Sequence, residues 1–544
     1  MMDDLDNDYI IEALQKENIS LCIDHNQYTA EFDANSFQIQ LYIILDDSFP
    51  YDFPKVYIAS KCYENIKHLP HVDNNKTICC FDSSRVSPNI FHKENILVDL
   101  FVKAKSIIED GINNENTDDI LDEYTAYWNK DVKTDDFYII DELPKCFCLM
   151  HCYFRIKNRI IHSSKDYIKI FIENCGEVYD DKYIVSCVYI PLKNAISFIP
   201  KNAYEMNLVV KNNSDYYREY AGYITKNYNK KCIVVFSLPS HSKIVCGFIN
   251  PRIPQINGYR KGHSPLLYAF SQNKHIEYEK ISVYNASQER LFARGGNGLT
   301  SSDKKICIIG CGSVGSNIAD AFANCGINRF TLIDKEILTV DNIARHICGF
   351  QHIDLSKTES VKDVIVKHNP NIICDVKHEN ANIVLENDIE LLKSCDLIIS
   401  TTASSTLEYH LISKFNKGII DKPVAILWVE PYSVCGHAII LNKPQDIFKE
   451  LFDENLSFIE SVVANPDQYL KREAGCQSTY MPYSGLNVKI FVSTFVKEYI
   501  NGSFSGDKNY HFIWAGDIKN SYGIEINERW AKLKNNSVYI ERIQ

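Results

Sequence analysis

Apolar positions change their period several times along the chain. Near the start, Ile10, Ile11 and Leu14 share one face of an amphipathic helix predicted over 5–17. Alternating runs at 28–32, 37–45 and 55–59 predict strands, the last following the turn-rich SFPYDFP. A polar loop, HLPHVDNNKTICCFD, leads to a helical segment over 93–112, and the acidic stretch GINNENTDDILDE marks a boundary or an exposed connection. From 136 to 290 the apolar segments KYIVSCVYIPL, KCIVVFSLP and KIVCGFI come with few helical patterns, which predicts mixed or mostly β structure. RGGNGLTSSDKK (294–305) predicts a linker. Beyond it lie a buried strand at 306–309, helical spacing at Ile318, Ala321, Phe322 and Cys325, and further strands at 330–333, 397–399 and 425–429. That alternation predicts βαβ units around a mainly parallel sheet. The expected architecture is α/β and multidomain, with units at 1–135, 136–295 and 296–544.

Charge and cysteine usage narrow the setting. Lys and Arg number 58 against 70 Asp and Glu, a net charge of −12 with no basic block, which argues against nucleic acid as a partner. No apolar run approaches the ~18 residues that span a bilayer, and the acidic opening MMDDLDNDYI is no secretion signal. The expected setting is therefore cytoplasmic, without a membrane partner. Nineteen cysteines in such a chain do not read as a disulfide framework. Cys187, Cys232, Cys246, Cys307, Cys325 and Cys395 fall inside apolar runs as small buried hydrophobes, and Cys311 reads as a small filler. No CxxC pair occurs, and Cys146, Cys148, His151 and Cys152 are separated by apolar residues without a second half-site, so no zinc is expected.

The densest chemistry lies in KICIIGCGSVGSNIADAF. Gly310, Gly312 and Gly315 form GxGxxG between a strand and a helix, where free N–H groups favour phosphate. The second strand ends in LID, which puts Asp334 where a carboxylate takes a ribose hydroxyl. So far a dehydrogenase would look the same. DNIARHICGFQHIDLSKTES then adds Asn342, Arg345 and Lys357. Two cations and an amide at a helix-N-terminal phosphate site suit a triphosphate under attack at its α-phosphorus, where charge develops.

On these motifs, residues 303–500 resemble the ThiF/MoeB-like adenylating enzymes, a group that includes ubiquitin-activating enzymes. The resemblance implies a Rossmann-like fold, ATP with Mg2+, Asp334 on the ribose, and Asn342, Arg345 and Lys357 on the triphosphate. The family's magnesium aspartate follows the fourth strand; here LIISTTASS places Ala403 there. The metal ligand is left unassigned, with Asp396 or a carboxylate outside the motif as substitutes. Cys476, in the polar loop KREAGCQSTYMPYSG beside Lys471 and Arg472, is the cysteine whose thiolate the sequence favours. The resemblance makes it the residue that forms a thioester.

The N-terminal stretch resembles ubiquitin-conjugating enzymes, through Tyr51-Asp52-Phe53-Pro54-Lys55-Val56 and Ile78-Cys79. An α+β fold and an acyl-carrying Cys79 are implied, with the adjacent Cys80 as the other possible nucleophile. His71 falls where that family has its catalysis-assisting asparagine, and Val86-Ser87-Pro88 is what remains of a downstream Trp-Ser-Pro. Both segments in one chain resemble the bacterial fusion found beside cyclic-oligonucleotide synthases (CD-NTases) in CBASS anti-phage operons. This implies a relay from acyl-adenylate to Cys476, to Cys79, to a target lysine, with the synthase C-terminus as donor and a homodimer as the assembly. The alternatives are a sulfur-carrier adenylyltransferase without conjugation and a catalytically weak nucleotide-sensing scaffold.

Overall fold

A computed structural model of the chain describes residues 5–543 except 36, 68, 74, 84, 114, 117–123, 130–131, 133–134, 195, 197, 228–229, 240–244, 251–277, 296–301, 473–478 and 519–522. They form two compact units, one drawn from within 1–139, 143–163 and 184–285, the other from within 140–142, 164–183 and 286–544. Among the described residues no helix is long and apolar enough to cross a membrane.

In the first unit, helix Asn7–Lys16 starts where the Asp6 carboxylate accepts the Tyr9 N–H, and buries Ile10 and Leu14. An antiparallel meander follows in sequence order: Ser20–Asp24, Gln27–Ala34, Phe37–Ile44, Val56–Ile58 and Thr77–Ile78. Alternation sends Tyr28, Ala30, Phe32, Ile39, Leu41 and Ile43 to one face, beneath Leu97, Phe101, Ala104 and Ile108 of helix Lys93–Asn113. Strand Ser20–Asp24 escaped the sequence pattern because it buries no side chain fully.

The rest of this unit is built on an eight-stranded sheet. Its segment 279–285 reaches both edges, pairing Glu279–Ile281 with Val245–Asn250 and Val283–Asn285 with Phe137–Ile139. The stretch 164–226 also holds three helices, Lys165–Asn174, Ala203–Asn213 and Tyr217–Lys226, which corrects the expectation of few helices. Two of them bury only two residues each, Ile168 and Ile172 or Tyr220 and Ile224, among tyrosines that favour strands. Lys165–Asn174 is part of the second unit, where Tyr167 donates to the Asn371 carbonyl (2.7 Å) and Asn174 to those of Pro370 and Ile372.

The second unit is organised by a sheet ordered Ile373–Lys377, Ile327–Ile333, Ser302–Ile309, Leu397–Ser400, Val424–Val429, Cys435–Leu441, Asn509–Ala515, Ser537–Ile543. Its first five strands are parallel and the remaining pairs antiparallel. Both faces are covered: Ile306 and Ile308 enter one apolar layer, Cys307 and Ile309 the other. Cys187, Cys232, Cys246, Cys307, Cys311 and Cys395 are buried as expected, whereas Cys325 is exposed, because the helix Ser313–Asn324 ends one residue before it. The 294–305 stretch is not wholly linker either: helix Gln288–Gly295 and strand Ser302–Ile309 overlap its ends.

Helix Gly485–Ile500 lies so close to the strand Cys435–Leu441 that a Cβ on Gly436 would sit 2.5 Å from the buried Phe491 ring. Gly436→Ala is therefore expected to lower the denaturant midpoint by an amount equivalent to about 1–3 kcal/mol, and Gly436→Ala with Phe491→Leu to recover part of it.

Candidate active site

The turn from strand Ser302–Ile309 into helix Ser313–Asn324 uses its three glycines for different purposes. Gly310 has φ +90°, and a Cβ there would meet Thr402 Cγ2 at 2.9 Å. A Cβ on Gly315 would fall 1.9 Å from the Gly310 carbonyl oxygen. Gly312, which caps the helix, has nothing within 4 Å of its Cβ position. The outer glycines let the helix close on the strands, while Gly312 presents bare backbone at a helix N-terminus, where an anion is favoured.

Other segments of the chain hold this turn from three sides. Thr401 Oγ1 donates to the Gly310 carbonyl at 2.7 Å. Asp334 accepts the Cys311 N–H at 2.7 Å through Oδ2 and the Glu336 N–H at 2.8 Å through Oδ1. His346 accepts the Cys348 N–H at Nδ1 (3.2 Å), so its Nε2–H donates to the Cys311 carbonyl (2.7 Å). Burial pulls this imidazole down to about 4. The one sequence signal for His346 as a site residue is its place in RHICGF.

Asn342, Arg345 and Lys357 reach this region by different means. Asn342 caps the 3-10 helix Val340–Arg345, its Oδ1 accepting from Thr339 N and Oγ1. The Arg345 carbonyl accepts from Ser313 Oγ (2.8 Å) and Asn317 Nδ2 (3.3 Å), and its guanidinium carbon lies 4.8 Å over the Tyr483 ring. Lys357 is almost fully buried and donates to Glu336 Oε2 at 2.6 Å. A polyphosphate would compete with Glu336 for that ammonium group, a partner 21 positions away that no local motif indicates.

The carboxylates do not reproduce a magnesium site at 403. Ala403 is exposed with φ +50° and carries no ligand. Asp396 accepts the Lys305 N–H and precedes strand Leu397–Ser400, so it lies about 13 Å, one strand length, from the glycine turn. Glu408 is buried behind the strand end, accepts from Ser400 Oγ, and is raised to about 7 by burial. Among the described residues no group of three or more His, Cys, Asp or Glu side chains is placed to hold a metal ion.

Cys476 lies outside the described residues, but both chains leading to it are fixed to the turn Glu430–Ser433. Glu430, almost fully buried, accepts four hydrogen bonds: from Ser461 Oγ, Val462 N and His437 Nε2 at Oε1, and from Val463 N at Oε2, all at 2.7–2.9 Å. His437 Nδ1 in turn faces His511 Nε2 at 2.9 Å, and burial holds His511 well below the usual histidine range. On the other side, Tyr432 N–H donates to the Pro482 carbonyl (2.7 Å) and Ser484 N–H to Ser433 Oγ (3.1 Å). Two-residue strands Lys471–Arg472 and Thr479–Tyr480 pair with each other just outside the loop. The segment WVEPYSVCGHA carries these residues, but their partners lie about 30 to 80 positions away in sequence, and only the fold assembles them.

In the first unit, Cys79 follows strand Thr77–Ile78 rather than lying inside it. It is exposed, whereas Cys80 is buried and its thiol is pushed up to about 12 by burial. The Cys79 N–H donates to the His71 carbonyl at 2.9 Å, and the His71 N–H to the Tyr127 hydroxyl at 2.6 Å. His71, at φ +61°, thus adjoins Cys79 through backbone. Asp73 tightens the intervening turn by accepting from Asn75 N, Thr77 N and Thr77 Oγ1.

Residues 289–460 match the ThiF family and residues 12–137 match prokaryotic E2 family B. An ATP-dependent ubiquitin transferase-like protein, Cap2, of Pseudomonas aeruginosa is 24% identical over 214 residues, covering 37% of each chain. The Cap2 of Vibrio cholerae is 24% identical over 38% of this chain and 37% of that one. Ubiquitin-like modifier-activating enzyme 5 of Caenorhabditis briggsae is 31% identical over 14% of this chain and 18% of its own. The chain thus spans little more than a third of the length of the first of these relatives. Among solved structures, Escherichia coli MccB with ATP aligns at 17% identity and a TM-score of 0.26, over 41% of this chain and 63% of that one. The chain is a fusion of an E2-like segment and a ThiF segment.

Two outcomes follow for the glycine turn. Gly312→Ala is expected to weaken ATP binding in calorimetry without changing the melting temperature, whereas Gly315→Ala should cost about 1–3 kcal/mol of stability as well. His346 is neutral when folded and binds a proton below about 6.5 when unfolded, so its contribution fades as pH falls from 6.5 towards 4. Acidification from pH 7.5 to 5 should remove on the order of 2 kcal/mol of stability through this residue, and His346→Gln should flatten that part of the pH–stability curve.

Proposed function

We propose that this chain activates a protein C-terminus with ATP and joins it to an amine. What carries the proposal is the pairing in one polypeptide of an E2-like segment whose Cys79 is exposed beside a buried Cys80 with a ThiF segment whose glycine turn leaves bare N–H groups at Gly312. ATP would lie over that turn, its ribose at Asp334 and its phosphates towards Asn342, Arg345 and Lys357. The donor carboxylate attacks the α-phosphorus, the bond to the β-phosphate oxygen breaks, and pyrophosphate leaves with its charge offset by the two cations. The Cys476 thiolate then displaces AMP to form a thioester. Exchange onto Cys79 regenerates the Cys476 thiol, and a lysine amine attacks the second thioester, releasing Cys79. Each covalent step divides a difficult condensation into easier ones.

The relay needs free thiols, which suits a reducing, cytoplasmic setting. By the resemblance to the CBASS fusion, the role would be anti-phage defence, the donor a CD-NTase C-terminus and the working assembly a homodimer. Ala403 favours a second reading, a nucleotide-sensing scaffold that binds ATP without chemistry. A sulfur-carrier adenylyltransferase would exchange pyrophosphate but form no adduct on Cys79.

Non-reducing electrophoresis of the chain with ATP and a donor protein separates these. Dithiothreitol-sensitive adducts are expected on both cysteines, with Cys476→Ala abolishing both and Cys79→Ala leaving the one on Cys476. Loading of Cys79 in Cys476→Ala would refute the order of transfer, and ATP binding without pyrophosphate exchange would favour the scaffold.

A further inference from the structure

Arg345 is the guanidinium nearest in role to the leaving pyrophosphate, and an arginine side chain has several freely rotating bonds to be ordered before it can act. Its backbone is fixed by Ser313 and Asn317. Its head is fixed by a different part of the chain. The Tyr483 ring is packed against the apolar core and lies 4.8 Å beneath the guanidinium. The residues on either side of Tyr483 are held in turn: the Pro482 carbonyl by Tyr432 N–H, and Ser484 N–H by Ser433 Oγ, which also donates to the Ser484 carbonyl. Tyr432 and Ser433 have φ of +57° and +53°, consecutive left-handed residues that are not glycine. Such conformations persist only where surrounding contacts enforce them, and here the contacts are those that grip 482–484. Behind Tyr483, a Cβ on Gly485 would come within 2.8 Å of the Ala344 carbonyl and 3.0 Å of Arg345 Cα, so the two segments touch backbone to backbone.

We propose that Tyr483 is a positioning residue for adenylation: its ring orders the Arg345 guanidinium towards the nucleotide, and the left-handed Tyr432–Ser433 pair holds the ring in place. The inference rests on the adenylating role proposed for Arg345. It goes further in tying that arginine to the return strand of the cysteine loop, because Thr479–Tyr480 and Tyr483 belong to one short run of chain.

The test is a double-mutant cycle of Tyr483→Leu with Arg345→Ala in the full chain, read by ATP calorimetry and by pyrophosphate exchange. Tyr483→Leu alone is expected to weaken ATP affinity or exchange by about 5- to 30-fold, with the melting temperature retained. Tyr483→Phe, which keeps the π face, should restore it. In Arg345→Ala, Tyr483→Leu should have no further effect, since the group it acts through is gone. Effects that multiply, or a Tyr483→Phe as impaired as Tyr483→Leu, overturn the proposal. If the leucine variant does not fold, Tyr483→Met fills the same space without a π face and carries the same expectations. Absence of exchange in the unmodified chain refutes the adenylating role itself, and the calorimetric cycle then decides the place of Tyr483 alone.

Discussion

The second unit depends on a contact that only a hydrogen atom can make. At Gly315 the helix Ser313–Asn324 approaches the Gly310 carbonyl so closely that a Cβ would sit 1.9 Å from it. That approach draws the helix N-terminus over the ends of the parallel strands. It brings Thr401 to the Gly310 carbonyl, His346 to that of Cys311, and Asp334 to the Cys311 N–H. Three separate stretches of chain thus converge on a turn of a few residues. A binding site at the carboxyl ends of parallel strands is a common solution for nucleotides. Here the convergence also seats Arg345, whose carbonyl is gripped by the same helix.

Features whose physics is local were legible in the sequence. The glycine spacing, the strand before it and the helix after it all lie within residues 302–324, and Asp334 follows from the next strand's end. The sequence leaves open which of Cys79 and Cys80 is exposed; the cysteines lie just beyond a strand, and burial of Cys80 by helix Lys93–Asn113, whose Leu100 carbonyl it contacts, distinguishes them. The helix at 217–226 was missed because its apolar face is narrow and tyrosine-rich, burying only Tyr220 and Ile224.

Illegible features were those made by distant partners. Nothing local tells that Glu336 takes the Lys357 ammonium, or that Glu430 gathers Ser461, Val462, Val463 and His437 around one buried carboxylate. A buried carboxylate must have such partners to be tolerated, and four hydrogen bonds supply them. Glu430 thereby decides where the chain towards Cys476 begins, and Tyr432 and Ser433 decide where it returns. Asp396 is the converse case: close in sequence to the expected metal position, it faces the opposite end of the strand.

The burial of Cys80 has a consequence for any acyl group carried next to it. Two adjacent thiols of equal acidity would share a thioester, shuttling it back and forth, and could close on each other under oxidation. With its thiol near 12, Cys80 is ionised to about one part in 10⁵ at neutral pH. It is also turned into the core, against the Leu100 carbonyl. An acyl group placed on Cys79 would therefore not pass to Cys80, and would leave outward, to a nucleophile arriving from solution.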